Sequence, residues 1–373
     1  MKVSAVFSRL KRIYTFVAIN LLSILVLMLV LNLIAFAALR IRDALSPPRS
    51  VDGLREVYPG MDPSDIRLLL DETWKKPWQY EPWVGFRERP RSGKFVNISE
   101  EGFRHSHIRD LSLDSPGIRV YVFGGSTTFG YGLEDGATIP SHLQRYLTER
   151  YPDKLVNVFN FGRGYYYSAQ EAALLLQLLM QERAPQVAIF IDGLNEDQSA
   201  PYYSAEMNHL FDAYNYSSNK LTALAAAEIS DHNSLMRIAR KLLRLAGPRE
   251  TEPQGSALEP RDRRRQYLSA RGIISALAKS RGFTSYFFIQ PVPGYRNPFA
   301  NHRQMSQERP PGWNHDLIRQ MERLDETVDG ESSFSLTGIL EDYPLQPFID
   351  DFHYTSAVCQ KIAVAIGDRI RIP

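Results

Sequence analysis

The stretch Ile118-Arg119-Val120-Tyr121-Val122-Phe123-Gly124-Gly125-Ser126-Thr127-Thr128 decides how the chain is read. A run of β-branched and aromatic residues that stops at a glycine pair has the composition of a buried strand ending in a tight turn. A serine directly after that turn stands at the carboxyl end of a strand, the edge where open α/β sheets bind ligands. Outward from this point, residues 155–161, 186–191, 283–290 and 334–340 also have strand composition. Residues 138–151, 168–183, 264–280 and 314–327 have helical spacing and fall between them, and 356–370 follows the last strand. In the first of these helices Ile139, Leu143, Tyr146 and Leu147 share one face. Strands alternating with helices predict an α/β fold, a three-layer α/β/α domain with a mainly parallel five-stranded sheet.

The 373 residues are 44% hydrophobic and 23% charged, which excludes a wholly disordered chain. A net charge of +2 argues against a dedicated nucleic-acid binder. The charge is unevenly placed. Lys2, Arg9, Lys11 and Arg12 precede 27 uncharged residues from Ile13 to Leu39, and Arg40 and Arg42 follow. A bilayer core needs roughly 20 apolar residues as a helix, and the larger cation count on the amino-terminal side keeps that side in the cytoplasm. The expected organisation is therefore a cytoplasmic segment 1–12, a transmembrane helix 13–39 in the lipid bilayer, a stalk and flanking segment 40–110, and an extracytoplasmic domain 111–373 with an insertion at 196–263. Ala35-Phe36-Ala37 resembles a cleavage site, but the apolar run exceeds the roughly 7–15 residues of a signal peptide.

Within the insertion, 219–230 and 233–246 read as helices, the second basic and amphipathic, and 248–265 as a mobile loop. Trp74, Trp78 and Trp83 lie in the flanking segment and are expected to pack against the main domain. Cys359 is the single cysteine, so no intrachain disulfide can form, and its place on the last helix predicts a buried, inert thiol. His105-Ser106-His107 with Asp110 lacks metal-site spacing and reads as a loop. No metal or cofactor is implied.

Serine needs a base to act as a nucleophile, and the base needs an orienting group. Between the last strand and the last helix comes Phe348-Ile349-Asp350-Asp351-Phe352-His353-Tyr354-Thr355, in which Asp350 and His353 can share one turn. A tetrahedral oxyanion needs donors fixed in advance. Gly162-Arg163-Gly164-Tyr165 follows the second strand, and Gly193-Leu194-Asn195-Glu196 follows the third. A phosphate loop is disfavoured, because Gly125 and Gly130 have the Walker interval but Tyr131 stands where lysine is required.

Together these blocks resemble the SGNH (GDSL-like) hydrolase family of bacterial serine esterases and acyl-transfer enzymes, over about residues 118–373. The serine block is similar to Gly124-Gly125-Ser126-Thr127, with Gly125 where Asp is commoner. The glycine block is similar to residues 160–170, the third to Gly193-Leu194-Asn195 followed by Glu196 where Asp is usual, and the last to Asp350 and His353. The resemblance implies an SGNH/flavodoxin-like sheet with Ser126 as nucleophile, His353 as base and Asp350 as its orienter. It also implies an oxyanion hole from the Ser126 and Gly164 N–H groups and Asn195, with the Tyr165 N–H as the alternative to Gly164. The implied substrate is an acyl ester, such as an O-acetyl group on an envelope glycan. An O-acyltransferase acting on an envelope polysaccharide, and a non-catalytic scaffold that keeps the fold, remain the alternatives.

Overall fold

The computed structural model describes residues 2–45, 54–74, 78–106, 108, 111–196, 234, 260–296, 315–328 and 332–373. The chain divides into two compact units, residues 1–50 with 202–255 and residues 51–201 with 256–373. The first unit contains helix α1, Lys2–Leu45. Its stretch Phe7–Ile41 is long and apolar enough to cross a membrane. Its large apolar side chains are exposed on all sides, which a core helix of a soluble domain would not show. The helices expected at 219–230 and 233–246 lie, apart from Ser234, outside the described residues.

The second unit is built on a sheet. Strands β1 (Trp78–Glu81) and β2 (Gly85–Glu88) form an antiparallel hairpin, and β3 (Arg91–Ser92) pairs antiparallel with β4 (Asn97–Ile98). The main sheet comprises β5 (Ile118–Gly124), β6 (Val156–Asn160), β7 (Val187–Asp192), β8 (Thr284–Ile289) and β9 (Ser333–Ser335). Its order is β6-β5-β7-β8-β9, and every neighbouring pair is parallel. β5 has the next strand of the chain on one side and the one after on the other. The strand order therefore reverses at β5, and a crevice opens at its carboxyl end.

The helices are α2 (Pro63–Trp74), α3 (Ser126–Phe129), α4 (Ile139–Arg150), α5 (Ser168–Met180), α6 (Pro260–Arg281), α7 (His315–Val328) and α8 (Ser356–Arg369). Side chains alternate along each strand, so each face has its own chemistry. Val120, Val122, Val156, Val158, Val187, Ile189 and Ile191 make one face aliphatic, under Leu143 and Leu147 of α4 and Val358, Ile362 and Ile366 of α8. On the other face Tyr121, Phe123, Phe159, Phe161, Phe190 and Phe287 form a layer of stacked and edge-on rings. Helix α6 covers this face, with the Arg271 guanidinium 4.5 Å from the centre of the Phe287 ring. Cys359 is fully buried, and burial pushes its thiol pKa up, so the thiol stays protonated.

Two local expectations change. The run Arg261-Asp262-Arg263-Arg264-Arg265, expected in a mobile loop, is the start of α6, which opens on Pro260. Proline suits the first helical position and arginine is a good helix former. The fifth strand was expected over 334–340, but after β9 the chain turns into a 3₁₀ segment, Thr337–Leu340. The Ser335 hydroxyl donates to Glu322 of α7 at 2.6 Å and the Thr337 hydroxyl donates to the same carboxylate, which draws the chain off the sheet.

The core continues into the segment before β5: Tyr58, Ile66, Leu69, Phe95, Val96 and Ile98 belong to the same apolar cluster as the sheet. One side chain from that segment holds the loop after Ser126. The Arg104 guanidinium, fully buried, donates to the carbonyls of Phe129 (2.9 Å), Gly130 (2.8 Å) and Leu133 (2.6 Å) and pairs with Asp135 at 2.9 Å. Removing one partner of a buried ion pair leaves a charge without compensation. Arg104→Met is therefore expected to destabilise the second unit by about 3–5 kcal/mol, read as a lower urea midpoint of tryptophan fluorescence. A loss below about 1 kcal/mol would show that the loop holds itself.

Candidate active site

Ser126 follows Gly125 at the end of β5 and opens the single turn α3. Gly125 lets the Asn195 side chain come close: a Cβ there would lie 2.4 Å from Asn195 Nδ2, so the amide would have to shift. On the last loop, the Ile349 N–H donates to the His353 carbonyl at 2.7 Å and the Thr355 N–H to the Pro347 carbonyl at 3.0 Å, closing a hairpin. Inside it Asp350 Oδ1 accepts from the N–H groups of Phe352 (3.0 Å) and His353 (2.8 Å). This is the local bonding that aspartate favours in turns. It aims the other carboxylate oxygen at the ring. Asp350 Oδ2 lies 2.7 Å from His353 Nδ1, and His353 Nε2 lies 2.9 Å from Ser126 Oγ. Burial pushes the Asp350 carboxyl pKa up, but the His353 ring and the two N–H donors outweigh it, so the group is held below the usual carboxylate range.

A buried glutamine ties the two loops together. Gln290, just past β8, accepts through Oε1 from the Thr127 hydroxyl at 2.7 Å, and the Tyr354 hydroxyl, 3.0 Å from the same oxygen, donates to the adjoining Pro291 carbonyl at 2.5 Å. These are the residues next to Ser126 and His353. The imidazole is also walled by rings. Tyr131 stacks on it at 5.2 Å and 19°, Phe352 lies at 4.3 Å, and Trp74 at the end of α2 meets it edge-on at 5.1 Å. Burial, followed by the neighbouring Glu88 and Tyr165, raises the Tyr131 hydroxyl pKa well above the usual phenol range.

The expected oxyanion donors divide. Asn195 is buried after β7, its Nδ2 lies close to Gly125, and that nitrogen donates to the Tyr166 carbonyl at 2.6 Å. The Gly164 N–H, expected to face the reacting atoms, instead donates to Glu88 Oε1 of β2 at 3.0 Å. Tyr165, the alternative, has left-handed backbone geometry, with φ at 64°. Of the His105, His107 and Asp110 group, His107 and Asp110 lie outside the described residues, and no metal-binding group of three is found among those described.

Arg104, Glu88, Trp74, Tyr131 and Gln290 were not read from the sequence as site residues. Arg104, Glu88 and Trp74 come from the segment before β5, where no glycine-flanked motif marks them. Tyr131 was noticed only as a residue that breaks a phosphate loop. Gln290 had one available signal, a polar residue ending an apolar strand at the ligand-binding edge.

No family model and no curated protein matches the chain. Among solved structures it is similar to a member of the lipolytic protein G-D-S-L family from Veillonella parvula, at 10% identity, covering 68% of this chain and 100% of that one, with a TM-score of 0.38. It is also similar to an acetyl xylan esterase, at 12% identity over 68% of this chain and 100% of that one, with a TM-score of 0.38. A third similar structure is an SGNH-hydrolase family esterase, at 16% identity over 68% of this chain and 95% of that one, with a TM-score of 0.34.

Beneath the Asn195 loop lies a buried group of acids. Glu196 Oε2 accepts from the Gly193 N–H at 2.7 Å and Oε1 from the Ser168 N–H at 3.0 Å, so it ties the end of β7 to the start of α5. Burial raises the Glu171 pKa well above the usual carboxylate range, with further upward push from Asp192 and Glu196, and Glu196 is also raised by burial. A carboxyl with a raised folded-state pKa contributes stability below its unfolded pKa and loses it as pH rises through the folded value. Glu171→Gln keeps the shape and removes that ionisation. Its melting temperature relative to the unsubstituted chain is expected to rise between about pH 5 and about pH 8, and a difference that stays constant across that range would contradict this.

Proposed function

We propose that the chain is a membrane-anchored, extracytoplasmic serine hydrolase that cleaves an acyl ester through a covalent acyl-enzyme. Ser126 Oγ attacks the ester carbonyl and His353 Nε2 takes its proton. Asp350 fixes the ring with Nδ1 protonated and stabilises the imidazolium that forms. The tetrahedral oxyanion is met by the Ser126 N–H and by Asn195 Nδ2, donors that need no reorganisation when charge develops. His353 then gives its proton to the leaving alcohol. The same imidazole activates water to release the acid.

The observation that carries this reading is the unbroken hydrogen-bonded series from Ser126 Oγ through His353 to Asp350, at 2.9 and 2.7 Å. A scaffold that had merely kept the fold would have no need for an imidazole bonded on both sides, beside a serine at the strand-order reversal. The anchor is α1, with residues 1–12 in the cytoplasm and the second unit beyond the membrane. The cation asymmetry of the sequence supports this orientation. An O-acetyl group on an envelope glycan is the substrate this location favours.

The test is turnover of a small acyl ester by the detergent-solubilised chain. Ser126→Ala is expected to reduce kcat/KM by at least ~10³-fold, as for triad members removed elsewhere. Equal turnover by both proteins would refute the hydrolase reading.

A further inference from the structure

The three rings around the imidazole differ in how they meet water. Tyr131 is buried and Phe352 half-buried, whereas Trp74 keeps 43% of its surface exposed. Trp74 also packs edge-on against Tyr131 at 5.3 Å, so its indole is fixed by two neighbours. It ends a helix whose Ile66 and Leu69 are anchored in the core. Tyr165, on the loop after β6, is a second exposed ring at 43% and lies within electrostatic reach of the Tyr131 hydroxyl.

In acyl transfer assisted by an imidazole, the departing oxygen must meet the nitrogen that protonates it. A leaving group at that nitrogen meets the rings that surround the imidazole, of which Trp74 is the most exposed. A rigid, flat apolar face bordering water suits a leaving group with one apolar face and a hydrated rim. A pyranose ring has this form: its C–H groups cover the indole while its hydroxyls stay in water, so no polar group is desolvated without a partner. A hydrocarbon leaving group would gain its burial only in an enclosed apolar pocket.

We propose that Trp74 forms the leaving-group subsite and that the substrate is an O-acylated pyranoside, its sugar ring stacked on the exposed indole. The inference rests on the ester-hydrolase reading and assigns Trp74 to specificity, not to chemistry.

The experiment compares kcat/KM for a mono-O-acetylated methyl glucopyranoside with that for ethyl acetate, in the full chain and in Trp74→Ala and Trp74→Phe. The expected result is a glucoside-to-ethyl-acetate ratio that falls roughly tenfold in Trp74→Ala, the scale of one lost stacking contact, with a higher KM for the glucoside. Trp74→Phe is expected to restore much of the ratio. A ratio unchanged in Trp74→Ala would mean that the indole only packs on the imidazole, and would overturn the subsite alone. So would an unsubstituted chain that cleaves ethyl acetate but not the glucoside. An unsubstituted chain that cleaves neither would overturn the hydrolase reading itself, and the subsite with it.

Discussion

The hydrogen bond between Ser126 Oγ and His353 Nε2 joins residues 227 positions apart, and the rest of the second unit is arranged so that it can form. Neither loop could hold it alone. The serine loop is fixed from below by β5, whose position at the reversal of strand order leaves its end open. The histidine loop is fixed by its own hairpin and by Asp350. The Gln290-Pro291 segment then links the two, accepting from Thr127 through the Gln290 side chain and from Tyr354 through the Pro291 carbonyl. Such a pair needs placement within a few tenths of an ångström, and a buried, doubly bonded strut supplies it more reliably than surface loops would.

The segment before β5 is as much part of this arrangement as the sheet. Arg104 satisfies three carbonyls of the turn that follows Ser126 and so sets where Tyr131 stacks on the imidazole. Glu72 does similar work nearby, accepting from the N–H groups of Lys94, Phe95 and Val96, each at 2.9 Å. Glu88 takes the Gly164 N–H. A segment that reads only as a flank packed on the main domain thus supplies a wall and several fixings of the candidate site.

The main sheet was legible because its strands are short apolar runs that end in glycine or polar turns, and period-two alternation left both faces hydrophobic. Ser126, Asp350 and His353, which one hydrogen-bonded series joins, were legible as candidates because the serine follows a strand and a glycine pair and the other two share one turn between the last strand and the last helix. The fifth strand was misjudged in length, since hydroxyls at 335 and 337 that bond a carboxylate on α7 are invisible to a propensity reading. Gly164 was placed by the family resemblance, which cannot foresee a carboxylate from a distant hairpin. Arg104 and Trp74 were missed for the same reason: their roles depend on contacts across the fold, with no local pattern to announce them.

The central claim is that Ser126 is a nucleophile activated by His353. A fluorophosphonate reports this most directly, because it reacts fast with a serine whose proton a neighbouring base removes during attack and hardly at all with an ordinary serine. The account predicts a single adduct, mapped by mass spectrometry to Ser126 in the native chain and absent after unfolding or in His353→Ala. No adduct on the native chain, or one on another residue, would contradict it.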